Sequence, residues 1–273
     1  MKSKRIIQIG IGVLLAFLFA FLFARSRQEG FQDGSPKIVI MALFKNEAMV
    51  IREWLEHYKW QGVDHVLLLN NNSTDKWEKE IEGLQSFVTV LPATKDFAQK
   101  EHYNTIGKKW LDENGADIVG IFDIDEFVFG KNGKTLKEHL VEIFKDDGGP
   151  SQVKINWTMF GSSDLTKQPD SIRKSFLWRK SELDKHTKAF MRRKDLREYD
   201  IHMSDVKGET VIMNDRFQMN HYAIMSREYF EKIKMTRGDS TIRTATKPVR
   251  DWDYFRRYDF KEEIDTTLRD LVN

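Results

Sequence analysis

Asp117-Ile118-Val119-Gly120-Ile121-Phe122-Asp123-Ile124-Asp125-Glu126-Phe127 is an apolar run that delivers two carboxylates one residue apart and a third directly after them. It reads as a strand, and in an extended segment residues i and i+2 point the same way. Asp123 and Asp125 can therefore converge on one hard cation just past the strand's end. Magnesium or manganese held by so few carboxylates keeps open positions, which the oxygens of a diphosphate can fill. A solvated turn after a strand would carry the same residues, so the rest of the chain has to decide.

Upstream, Lys37-Ile38-Val39-Ile40-Met41-Ala42-Leu43 is fit for a buried first strand, followed by the polar loop Phe44-Lys45-Asn46-Glu47 and a helical pattern through Trp60. In that helix Val50, Trp54, Leu55 and Tyr58 share one face, and Gly62 stops it. Val63 to Leu69 repeats the theme and ends in Asn70-Asn71-Asn72-Ser73-Thr74-Asp75, whose Ser or Thr can cap a helix running to about Leu84. A third strand, Phe87 to Leu91, precedes a helix from about Ala98 to Glu113, closed by Asn114-Gly115. Strands alternating with helices predict an α/β fold with a mostly parallel sheet and ligands beyond the carboxyl ends of its strands. All the polar loops then share one edge.

Downstream of Gly133 a helix to Phe144 and a strand from Gln152 to Phe160 are expected, followed by less regular alternation. Between Arg173 and Arg197 ten basic residues face three acidic ones. Such a stretch is either a solvated face or a surface that neutralises a diphosphate, an anionic acceptor or a membrane.

At 273 residues the chain can bury one full α/β core, and 40% hydrophobic with 32% charged residues is an ordinary globular composition without low-complexity segments. The start differs. Ile6 to Ala24 is broken only by Gln8 and two glycines. As a helix it would span about 28 Å at ~1.5 Å per residue, enough to cross a bilayer. Lys2, Lys4 and Arg5 precede it, while Arg25 and Arg27 follow, which favours a single-pass anchor with a cytoplasmic N-terminus over a cleaved signal peptide. The organisation expected is a basic flank over 1–5, an anchor over 6–24, a linker over 25–36 and one domain over 37–273. Net charge is +2, but residues 1–30 hold five of the 44 basic and one of the 42 acidic side chains, leaving 39 against 41. That balance disfavours a nucleic-acid partner. With no cysteine there is no disulfide and no Cys-ligated zinc.

Taken in order, Phe44-Lys45-Asn46-Glu47-Ala48 with Glu53-Trp54-Leu55, Asn70 to Asp75, Phe122 to Phe127, Met159-Phe160-Gly161-Ser162-Ser163, and Asn220-His221-Tyr222 with Arg237-Gly238 resemble the family-92 glycosyltransferases and their family-2-like relatives. The resemblance spans roughly 37 to 260 and implies a GT-A, Rossmann-like nucleotide-diphospho-sugar fold. In it 37–130 would form the nucleotide-sugar half and 131–273 the acceptor half.

It also implies roles. Asn46, Glu47, Asn70 and Asp75 would hold the nucleobase and ribose; relatives usually carry Asp at the position of Asn70, whose amide oxygen can still accept from a uracil N3–H. Asp123 and Asp125 would hold Mn²⁺ or Mg²⁺ against the donor diphosphate, completed by His221, with His202 in reserve. The stereochemistry would be inverting, which requires a general base. Asp164 is placed first for that role, with Glu126 and Asp239 as alternatives; Glu126 should point away from the aspartates if the segment stays extended. Trp157 and Phe160 could stack on a sugar, and Lys188 and Arg237 could neutralise the leaving diphosphate. The expected partners are a UDP-sugar donor, a glycan acceptor and, through the anchor, a membrane. Sequons at Asn71, Asn72 and Asn156 lie where donor or acceptor would sit, which favours a bacterial or viral setting.

Two other classes share part of the pattern. A haloacid-dehalogenase-like phosphatase also places Asp-x-Asp after a strand, but wants Thr or Val where Phe127 stands and wants the loop near the domain's start. A non-catalytic sugar- or nucleotide-binding module would not need both aspartates beside an ordered nucleotide pocket.

Overall fold

The first strand, β1 (Ile38–Phe44), is covered on both faces: Ile38, Ile40, Ala42 and Phe44 pack into one core cluster, Val39 and Met41 into another. Continuous apolar runs of this kind belong in a parallel sheet with helices on either side. The computed structural model describes residues 35–146, 148–237 and 250–273. The expected anchor over 6–24 and Asp239 lie outside the described residues. Among the described residues no helix is long and apolar enough to cross a membrane.

β2 (His65–Asn70), β3 (Val88–Pro92) and β4 (Ile118–Ile121) join β1 in parallel, in the order β3-β2-β1-β4. The carboxyl ends of β1, β2 and β3 lie level, since Phe44 pairs with Asn70 and Asn70 with Pro92, while β4 ends opposite Met41. The sheet continues through β5 (Glu126–Gly130), β6 (Gln152–Met159), β8 (Thr187–Arg192), β11 (Thr210–Ile212) and β12 (Phe217–His221). Its full order is β3-β2-β1-β4-β8-β6-β12-β5, with β11 paired to the start of β6. β8 runs antiparallel to β4 and β6, and β5 antiparallel to β12; the other pairs are parallel. One sheet thus runs through both halves of the chain; outside it, β7 (Trp178–Arg179) pairs with β13 (Glu263–Ile264) and β9 (Leu196–Glu198) with β10 (Asp205–Val206).

Helix Ile51–Trp60 buries Ile51, Trp54, Leu55, His57 and Tyr58 against one face, as its periodicity predicts. On the other face a helix over 99–114 packs Tyr103 and Leu111; its middle turn, Tyr103–Gly107, is π-helical. Gly107 permits that contact, because a Cβ there would lie 2.2 Å from Met41 Sδ. Helix Leu136–Phe144 begins with a capping box between Thr135 and Glu138.

Two local expectations fail, the first through competition by side chains from another loop and the second through strand pairing. After Asn70–Asp75 only one helical turn forms, Trp77–Glu80, without a side-chain cap. Ser73 and Thr74 instead bind the β1 loop: Asn46 N–H donates to Ser73 Oγ at 3.0 Å and Thr74 N–H to Asn46 Oδ1 at 2.7 Å. The run Asp117–Phe127 is not one strand either. β4 stops at Ile121, a turn carries Asp123 and Asp125, and β5 starts at Glu126 beside a different neighbour.

Candidate functional site

At the carboxyl ends of β1 and β4 a cavity of about 670 Å³ opens, lined by Glu47, Asp123, Asp125, Trp157, His221 and Arg237 among others. The tight turn after β4 brings all three acids of the segment together. Lys188, from β8 and fully buried, donates to Asp123 Oδ2 at 2.8 Å and lies 3.4 Å from Glu126 Oε2. Lys234 contacts Asp125 Oδ2 from the opposite side. Burial alone would pull the Lys188 ammonium down, but the carboxylates of Asp123 and Glu126 outweigh it and hold it above the ordinary lysine range. Burial likewise opposes the charge on Asp125, which Lys234 and His221 overcome, keeping its carboxyl well below the usual range.

Glu126 does not point away from the pair. Because the chain turns, its Oε2 accepts the Asp123 N–H at 2.8 Å, and the side chain is fully buried with Oε1 unpartnered among the described residues. Burial pushes its carboxyl well above the usual range, against the pull of Lys188. A group so enclosed braces the turn and cannot reach an acceptor. Asp164 is also misplaced for a general base: its backbone is left-handed at φ 58°, its side chain is 72% exposed, and it pairs with Lys261 away from the cavity lining. Lys188, being buried on Asp123 and Glu126, neutralises the acidic turn and is withheld from a leaving diphosphate.

The loops expected to hold the nucleobase follow β1 and β2, and their side chains do other work. Asn70 Oδ1 accepts from Ser73 N–H at 2.9 Å and Asp75 Oδ2 from Ala48 N–H at 2.7 Å. With Asn46 they lock the β1 and β2 loops together, and none of the three lines the cavity. Glu47 does line it; its carboxylate meets the Arg237 guanidinium and accepts from Tyr229 Oη. Asn71, one residue beyond the predicted Asn70, also lines it, while its amide donates to Ala93 O at 2.7 Å.

His221 ends β12 with its Nε2 3.7 Å from Asp125 Oδ1, too far for a hydrogen bond. Its Nδ1 is buried and unpartnered among the described residues. An imidazole nitrogen facing a carboxylate oxygen at that distance leaves room for a proton or a cation between them. Carboxylate oxygens with one imidazole are the donor types that suit Mn²⁺ or Mg²⁺, although among the described residues no three such side chains stand arranged to hold an ion. His202, the reserve, has Nδ1 3.3 Å from Thr187 O. Trp157 does line the cavity, yet it cannot offer a free face to a sugar: His186 stacks on it at 5.0 Å and 29°, and His221 packs at 4.3 Å. Phe160 is core, packed on Tyr222.

Sequence reasoning missed Lys234, Tyr229, His186 and the cavity's Tyr254 and Tyr258. Only tertiary structure brings them in, although His186 carried a local signal in Asp184-x-His186.

A mostly parallel sheet that gathers its polar loops and an acidic turn at the carboxyl ends of its strands is the arrangement in which open α/β folds bind ligands. The sequence model of glycosyltransferase family 92 matches residues 40–257, and the chain belongs to that family. A glycosyltransferase family 92 protein of Arabidopsis thaliana is 24% identical over 271 residues, covering 86% of this chain and 46% of that protein, so the chain spans about half its relative's length. Among solved structures, glucosyl-3-phosphoglycerate synthase from Mycobacterium tuberculosis, in complex with Mn²⁺, UDP and glucosyl-3-phosphoglycerate, overlaps 45% of this chain and 44% of its own at 20% identity and TM-score 0.33. A complex of the same enzyme with Mn²⁺, UDP-glucose and phosphoglyceric acid overlaps 59% of this chain and 58% of its own at 16% identity and TM-score 0.37. Overlaps that partial carry no argument about this chain's activity.

Proposed function

We propose that the chain is a metal-dependent, inverting glycosyltransferase of GT-A architecture that moves a sugar from a UDP-sugar to a hydroxyl of a glycan. The observation that carries this reading is the turn that sets Asp123 and Asp125 beside His221 in one cavity, with family membership behind it. Asp123, Asp125 and His221 would hold Mn²⁺ or Mg²⁺, which when bound supplies positive charge for the departing diphosphate. Lys45, Glu47 and Asn71 line the same cavity at the ends of β1 and β2, where the nucleoside would lie. Arg237 belongs to the same wall through Glu47. Residues 1–36 are proposed as anchor and linker that hold the domain at a membrane with the N-terminus cytoplasmic. Family membership leaves the phosphatase and binding-module readings without a supporting observation.

The test is a thermal shift. UDP should raise the melting temperature with Mn²⁺ present and much less without it, because a ligand stabilises the state it binds. Asp123→Asn should lose that metal-dependent shift while keeping the fold, since Lys188 retains Glu126 at 3.4 Å. No metal-dependent shift with any nucleoside diphosphate in the wild-type protein would sink the proposal.

A further inference from the structure

With Glu126 enclosed and Asp164 outside, the cavity still needs a group to take the acceptor's proton. His186, directly before β8, lines the cavity with its side chain 49% exposed. Its Nδ1 donates to Asp184 Oδ1 at 2.6 Å, and its backbone N–H donates to the same oxygen at 3.0 Å. That contact puts the ring proton on Nδ1 and leaves Nε2 a lone pair, with no hydrogen-bond partner among the described residues. The short loop is clamped to β6. Asp184 N–H donates to Trp157 O at 2.9 Å, and Trp157 N–H donates to His186 O at 3.1 Å. Asn156 Nδ2 donates to Asp184 O at 2.8 Å, and the His186 ring lies on the Trp157 indole. Tautomer, ring plane and backbone are all fixed, although the residue is half exposed and the core does not need it.

Resting on the transferase reading above, we propose that His186 is the general base of sugar transfer and that Asp184 is its positioning residue. The acceptor hydroxyl oxygen bonds to the donor's anomeric carbon. The bond from that carbon to the β-phosphate oxygen breaks, and its electron pair leaves with the nucleoside diphosphate. The hydroxyl proton passes to His186 Nε2. Asp184 stays ionised and stabilises the imidazolium, the role a carboxylate takes behind a catalytic histidine. Among the described residues the other carboxylates lining the cavity are committed elsewhere, Asp123 and Asp125 to lysines and Glu47 to Arg237 and Tyr229, while Asp239 lies outside the described residues. Asp96 lies beyond the end of β3, on the far side from β6, with Lys45 at 3.6 Å. The indole separates His186 from His221, so the base stands next to the metal wall without belonging to it.

The experiment uses the full chain with Mn²⁺, a panel of UDP- and GDP-sugars and water as acceptor, reading nucleotide release; a parallel series adds sodium azide and reads glycosyl azide. His186→Ala should lose turnover by about 10²–10⁴-fold, the usual size of a general-base contribution. Its Mn²⁺-dependent UDP affinity, by calorimetry, should stay within about twofold of wild type, since the residue lies outside the donor contacts. Azide has no proton to give up, so it should restore turnover in the variant. Asp184→Asn should lose roughly tenfold or more while remaining folded, because an amide no longer fixes the tautomer. Wild-type turnover in His186→Ala, or UDP affinity retained with no rescue by azide, overturns the base assignment and leaves the transferase reading intact. A wild-type protein that turns over no donor in the panel overturns the transferase reading, and the base assignment with it.

Discussion

Replacing Lys188 with Met tests whether charge holds the acidic turn together. The ammonium is fully buried, 2.8 Å from Asp123 Oδ2 and 3.4 Å from Glu126 Oε2. Methionine nearly matches lysine in length and volume, so the change removes a charge far more than it removes packing. Stripping one partner from a buried ion pair strands the other without solvation, at a cost of about 3–5 kcal/mol. Two features place the loss near the lower end. The Asp123 side chain is 35% exposed, so water reaches it, and Glu126 is buried where it can take up a proton. One kcal/mol moves the midpoint of a domain this size by roughly 2–4 °C, so a loss of about 3 kcal/mol lowers it by roughly 6–12 °C. Urea unfolding followed by circular dichroism at neutral pH gives the free energy directly. The double variant Lys188→Met/Glu126→Gln should recover part of the loss, because a neutral amide needs no counter-ion yet still accepts the Asp123 N–H. A single variant within about 1 kcal/mol of wild type, or a double variant no better than the single, would refute the argument.

Asp125→Asn should be less stable than Asp123→Asn by roughly 2–3 kcal/mol, because it leaves buried Lys234 without its carboxylate whereas Lys188 keeps Glu126; adding Lys234→Met should restore Asp125→Asn, and equal urea midpoints for the two single variants would contradict this. Burial, against the hydrogen bond to Val128 O, lowers the His57 pKa from 6.5 to about 3. The unfolded chain therefore takes up a proton that the fold refuses, and the stability present above pH 6.5 is lost as pH falls toward 3, at about 1.4 kcal/mol per pH unit. Unfolding free energies measured across that range should fall less steeply in His57→Gln, and parallel slopes would show that another group carries the effect. Gly107→Ala should cost about 1–3 kcal/mol by overpacking, since the new methyl would meet Met41 Sδ at 2.2 Å; a thermal melt unchanged from wild type would mean that Met41 moves aside without strain.

The sheet's first four strands were legible because their apolar runs are bounded by turn residues and separated by helices with one apolar face. Those signals are local. The break after Ile121 was not legible, because Phe122 and Ile124 are apolar enough to continue a strand and are in fact buried. What stops β4 is the β8–β4 pairing on one side and the transfer of β5 to β12 on the other, both set by residues dozens of positions away. The same cause reversed Glu126: on an extended chain it points away from Asp123, and in a turn it accepts that residue's N–H. In the loops after β1 and β2, Asn46, Asn70 and Asp75, expected to read a nucleobase, instead bond to backbone N–H groups of those same loops. Short polar residues satisfy backbone donors in neighbouring loops as readily as they read a ligand, and a sequence does not rank the two.

If Asp123, Asp125 and His221 hold a cation as proposed, the two buried lysines set how they do so. Three carboxylates at one turn would repel each other, and Lys188 and Lys234 keep the aspartates ionised without any cation present. A site already neutralised in this way attracts a divalent ion less strongly than a bare carboxylate pair would, so the ion's remaining attraction has to come from the diphosphate oxygens. Metal and nucleotide should then bind as a coupled pair, each raising the other's affinity by the same factor, as linkage requires. Calorimetric titration of Mn²⁺ into the protein alone and into the protein saturated with UDP measures that factor, with at least a tenfold tightening expected, about 1.4 kcal/mol of coupling. Lys234→Met should raise the affinity for Mn²⁺ alone and shrink the coupling, because it frees Asp125 for the ion. Equal Mn²⁺ affinities with and without UDP would mean that the lysines brace the turn and leave metal binding untouched.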